Sequence, residues 1–69
     1  MEAKNRQDLI REARSAVTDF IKGAGFTFDG EFTAYRSVRI ALAVGITLQE
    51  IGMREDTYER MVSVAQSLA

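Results

Sequence analysis

The side chains best equipped for chemistry in this chain are gathered between residues 26 and 39. Phe26, Phe28, Phe32 and Tyr35 fall among polar residues, and Arg36 and Arg39 follow directly. Aromatic rings supply broad apolar anchors and guanidinium groups supply directional pairs with carboxylates, so the combination suits a contact surface for another protein. The same rings would serve equally as the lid of a hydrophobic core, with little of them reaching solvent. Exposure of the segment separates these two readings.

Catalytic chemistry is poorly supplied. The chain has no histidine and no cysteine, which removes the commonest general base, the commonest transition-metal ligand and any disulfide. Ser15, Ser37, Ser63 and Ser67 therefore have no imidazole to activate them, and a 69-residue fold has little room to enclose a pocket around a lysine base. Gly23, Gly25 and Gly30 are spread over a turn-like stretch and do not form the G-x-G-x-x-G that cradles a phosphate. Glu55, Asp56 and Glu59 invite a metal-site reading. A helix start accounts for them more simply, with Asp56 as cap, Glu59 as its partner three residues on, and Glu55 in solvent. The expectation is a protein that is not an enzyme and carries no cofactor or metal.

Composition narrows the class further. Nine basic and ten acidic residues leave a net charge of −1, without the basic excess that marks a dedicated nucleic-acid binder. No apolar run approaches the roughly 18 residues needed to cross a bilayer. The N-terminus lacks the pattern of a signal peptide. A cytoplasmic protein with no membrane association is expected. One small domain over 1–69 builds only a small core, and with no disulfide to staple it, oligomerisation is the remaining support. A homodimer is expected.

The elements that position these residues are helical. Leu9, Ile10, Ala13, Ala16, Val17, Phe20 and Ile21 draw one stripe along a helix from Asn5, its cap, to Lys22, before Gly23 and Gly25. Residues 25–35 read either as an ordered loop or as a short β-hairpin turning at Asp29-Gly30. Thr33 to Val44 is a second helix, with Tyr35, Val38, Ala41 and Leu42 on one face and Ile40 and Val44 widening it. The unbroken apolar run 41–44 implies burial around most of its circumference. Gly45 closes that helix and Ile46 packs back on it. Thr47 and Glu50 form a capping box that opens a short helix over 48–53. A last helix spans 57–68, with Tyr58, Met61, Val62, Ala65 and Leu68 as its stripe; a single helix over 48–68 is the alternative. The fold class is all-α, with three or four helices, a tight helix–turn–helix corner encoded within the six residues 45–50, and an aromatic loop or hairpin between the first two helices.

Ala41, Gly45 and Ile51, with Ile40, Val44 and Ile46 at the flanking apolar positions, resemble the helix-turn-helix unit of DNA-binding proteins over residues 37–54. The stretch 45–51 is also similar to a segment of MerR-type regulators and to sigma-factor-like helix starts. That resemblance implies a dimeric transcriptional regulator, with Thr47, Gln49 and Arg54 facing DNA. Lys4, Arg6, Arg11, Arg14, Arg36 and Arg39 would supply phosphate contacts. A helix in the major groove lies between phosphate backbones, and here it would carry Glu50, Glu55, Asp56 and Glu59 against Arg54 and Arg60. Charge therefore ranks DNA second. The leading expectation is a small regulator that binds another protein, of the kind found among phage and mobile-element inhibitors of host factors. Phe26, Phe28, Phe32, Tyr35, Arg36 and Arg39 would form its contact surface.

Overall fold

The computed structural model describes residues 5–26 and 30–68, in which three helices run in the order α1 (Arg6–Ile21), α2 (Thr33–Ala43) and α3 (Glu55–Ser67). Asn5 caps α1 as its sequence indicates: its backbone is extended, and its side-chain oxygen accepts the Asp8 N–H at 2.8 Å. At the other end the N–H of Gly23 bonds the Phe20 carbonyl and that of Ala24 bonds Asp19. This pairing satisfies the carbonyls that the last helical turn leaves open.

The same closure recurs at the end of α2. Gly45 donates to Leu42 at 3.1 Å and Ile46 to Ala41 at 3.0 Å. Ile46 is thereby turned into the core, where 2% of it is exposed. Residues 47–50 form the capping box read from sequence. The Thr47 N–H donates to Glu50 Oε2 at 2.8 Å, and the Glu50 N–H donates to Thr47 Oγ1 at 3.2 Å.

The short helix expected over 48–53 is not present. After one turn Gly52 adopts φ +68°, its N–H bonds Gln49, and the Met53 N–H bonds Leu48 at 2.9 Å. A closing motif thus follows the capping box at once, so start and stop signals overlap in a single turn. There is no fourth helix among the described residues, and the positive φ of Gly52 also excludes a continuous helix over 48–68. Ile51 and Met53 enter the core on either side of that glycine.

α3 begins two residues earlier than Asp56 capping would place it. Arg54 is the extended cap residue and lends no side-chain bond. Asp56 lies within the first turn, where its carboxylate accepts the Thr57 N–H at 2.8 Å and meets the positive end of the helix dipole. α2 likewise begins without a side-chain cap. Thr33 is its first residue, and its hydroxyl donates to the Gly25 carbonyl at 3.1 Å, which also accepts the Ala34 N–H at 3.0 Å. One carbonyl thus ties the end of the α1 connection to the start of α2.

The core is made of Ala13, Ala16 and Val17 from α1, Ala34, Val38 and Ala41 from α2, then Ile46, Ile51 and Met53, with Met61 from α3. Small residues on both partners let α1 and α2 pack closely, whereas α3 meets α2 over a smaller area. The expected near-complete burial of residues 41–44 does not occur: Ala43 and Val44 are exposed, as are Ile40 and Ile21. Helices this thinly covered bury one stripe and leave the adjoining apolar positions in water. No helix among the described residues is long and apolar enough to cross a membrane.

Candidate interaction surface

The link between α1 and α2 brings the aromatic side chains together. Phe26 and Phe32 form an isolated antiparallel bridge, and no strand extends it among the described residues, so the hairpin alternative is not realised there. Phe28 and Asp29, named for the contact surface and the hairpin turn, lie outside the described residues. The rings of Phe26 and Phe32 stack with centroids 4.8 Å apart. Phe32 continues to Tyr35, 6.2 Å away with its ring nearly parallel, and to Phe20 of α1, 6.0 Å away and tilted. All three separations are in the attractive range for ring pairs.

Neither sequence reading of these rings holds alone. Phe32 and Tyr35 are half-buried against the core, while Phe26 keeps 45% of its surface in solvent. The cluster is a lid whose outer side is open. Arg39 lies over the Tyr35 ring at 5.7 Å and Arg60, from α3, over Phe20 at 5.5 Å, both within cation–π range. Arg60 has no motif to announce it, because its place here depends on how α3 docks beside the end of α1.

Arg36 and Arg39 sit on the same exposed side of α2, as their helical spacing requires. Arg36 is paired with Glu31. Phe32, Tyr35, Arg36, Arg39, Ile40 and Ala43 line a shallow groove of about 370 Å³ along that helix. Ile40, 46% exposed, gives the groove an aliphatic floor beyond the rings. Four of the six residues expected to form a contact surface therefore line one groove, and Phe26 stacks on its edge.

The residues assigned to DNA contact are differently disposed. Thr47 spends its hydroxyl and its N–H on Glu50. Gln49 is exposed on the single turn, and Arg54 reaches Asp56 at 3.2 Å. Among the arginines assigned to phosphates, Arg6 pairs with the Glu50 carboxylate, Arg11 with Asp8, and Arg14 donates to the Glu50 carbonyl at 3.0 Å; Lys4 lies outside the described residues. The Arg6 and Arg14 bonds clasp the 47–52 turn to α1, whereas the Arg11–Asp8 pair lies within α1.

Glu50 is the centre of that clasp. The Thr47 backbone N–H, and after it Arg6, hold its carboxyl below the ordinary value of 4.5, with desolvation opposing them. A carboxylate whose folded pKa is depressed contributes stability above its unfolded pKa and loses it as pH falls through the folded one. The thermal midpoint is therefore expected to drop on acidification from about pH 4.5 downward, more steeply in the native chain than in Glu50→Gln. Parallel melting curves across that window would show that the carboxylate contributes nothing.

Among the described residues no group of three or more histidine, cysteine or acidic side chains is arranged to hold a metal ion. Comparison with protein-family models, with curated proteins and with solved structures finds no match.

Proposed function

We propose that this protein is a small non-catalytic regulator that works by binding another protein, with the aromatic and arginine face of α2 as its contact surface. One observation carries the reading: the stacked series Phe26–Phe32–Tyr35 reaches solvent beside Arg36, Arg39 and the exposed Ile40. Rings already fixed by stacking lose little freedom on binding, which suits them as anchors. An inhibitor of a host factor encoded by a phage or mobile element, acting in the cytoplasm, is the form of regulator that a chain of this size and charge fits. A homodimer is compatible with it, provided the α2 face stays open.

The test is the double substitution Arg36→Ala with Arg39→Ala. Both side chains are at the surface, and an exposed pair such as Arg36–Glu31 contributes at most about 1 kcal/mol, so the fold is expected to survive. Capture of the partner from its native lysate is expected to fall by at least about ten-fold, as for hot-spot residues. Unchanged capture by a folded double variant would move the contact surface elsewhere. Titration of a labelled mixed-sequence duplex at low salt addresses the alternative, DNA binding through Thr47, Gln49 and Arg54. Steeply salt-dependent binding would transfer the function to that corner.

A further inference from the structure

Two arginines hold the ring cluster from opposite ends. Arg39 lies over Tyr35 and Arg60 over Phe20, and Phe32 touches both rings. Neither guanidinium has a carboxylate partner among the described residues. This distinguishes them from Arg6, Arg11, Arg36 and Arg54, each of which has one. A guanidinium resting on a ring face keeps its edge N–H groups directed outward and available for bidentate pairing. The groove itself is lined by Phe32, Tyr35, Ile40 and Ala43 together with Arg36 and Arg39, and Arg60 is joined to it through Phe20, whose ring meets Phe32.

The groove also has a length. From Phe32 to Ala43 its lining residues recur at helical spacing along one face of α2, about 16 Å at 1.5 Å per residue. That accommodates about three turns of a second helix.

We propose that the occupant of this face is an acidic amphipathic helix of the partner protein, a proposal that rests on the protein-interaction reading above. Its aliphatic side chains, spaced i, i+3/i+4, i+7, lie on Phe32, Tyr35 and Ile40. Its flanking aspartates or glutamates take Arg39 and Arg60. A helix laid in an apolar groove is a recurrent way of binding a peptide, and the arginines set which charge the peptide carries. A second copy of the chain fits the face less well. A two-fold pairing sets identical patches against each other, bringing Arg39 and Arg60 to a groove whose lining carries arginines and no carboxylate, with Glu31 already paired with Arg36.

Panning the full chain against a display library of helical peptides about 15 residues long, followed by titration of the selected peptides into isotope-labelled protein, tests this. Selected peptides are expected to carry Asp or Glu beside aliphatic residues at the stated spacing and to shift the resonances of Phe32, Tyr35 and Ile40. Arg39→Glu with Arg60→Glu is expected to weaken them at least about ten-fold, while the variant still melts cooperatively at a midpoint lowered only by the two lost cation–π contacts. Exchanging the peptide acids for lysine should restore binding to that variant alone. Basic or uncharged winners, or equal affinity for the variant, would overturn the proposal, and so would a library that yields no binder. A dimer in sedimentation that the same two substitutions abolish would assign the face to a second copy instead. Peptides with a footprint elsewhere overturn this face and its occupant, and the protein-interaction reading then stands or falls on partner capture.

Discussion

Replacing Gly25 with alanine is expected to lower the stability of this domain more than any other single-methyl addition at a glycine. The residue is buried at φ +108°. A Cβ placed there would stand 2.9 Å from the Ala34 Cβ and 3.5 Å from the Phe32 ring. The alanine methyl is fixed to the α2 backbone and cannot rotate aside, so α2 itself must move. Backbone strain of about 1–3 kcal/mol and overpacking of similar size then add. Moving α2 also stretches the bonds from Thr33 and Ala34 to the Gly25 carbonyl. Against a total of roughly 3–10 kcal/mol for a domain of this length, the thermal midpoint should fall by more than about 10 °C. Gly30→Ala is the control. Its φ is +84° and nothing lies within 4 Å of the added methyl, so only the conformational penalty of about 1–2 kcal/mol remains. Equal midpoints for the two variants would show that the close approach to Ala34 is not what fixes α2.

Met61→Ala is expected to have the second-largest effect and a different signature. Met61 is the one fully buried residue of α3, and α3 touches α2 far less extensively than α1 does. Truncation of a buried methionine costs about 2–5 kcal/mol, and here the loss falls on one element. Hydrogen exchange should report it: amides of α3 lose protection first, while those of Ala13 to Val17 and Val38 to Ala41 keep theirs. Leu68→Ala, 55% exposed at the end of the same helix, should change stability by less than about 0.5 kcal/mol. Uniform loss of protection across all three helices in the Met61 variant would mean that α3 is no separable unit. Because Arg60 is its neighbour, the same substitution should also weaken the cation–π contact on Phe20.

The parts of this fold that were legible in the sequence are those encoded within a few residues. Asn5 before an apolar stripe, Gly45 with Ile46 behind it, and Thr47 with Glu50 each specify hydrogen bonds over three to five residues, and each is found. What failed was length. A capping box states where a helix begins and says nothing of where it stops, and here Gly52, at φ +68°, ends it after one turn. Asp56 misled for a related reason: acidic residues are favoured both at the cap and in the turn behind it, so the residue type does not fix the register. The candidate surface was half legible. Clustering along the chain identified Phe32, Tyr35, Arg36 and Arg39, because helical spacing keeps them together. Phe20 and Arg60 come from other helices, and only packing brings them to the same rings.

The contact surface separates the protein-interaction account from its rival without the partner being known in advance. A photo-crosslinking residue substituted for Ile40, in the α2 groove, or for Gln49, on the exposed 47–52 turn, reports what each site touches in the cells that make the protein. Both positions are exposed, and neither substitution removes a core contact. The expected result is a protein adduct from position 40 and none from position 49. Adducts from position 49 alone, or crosslinking to nucleic acid from either site, would contradict the assignment of function to the α2 face.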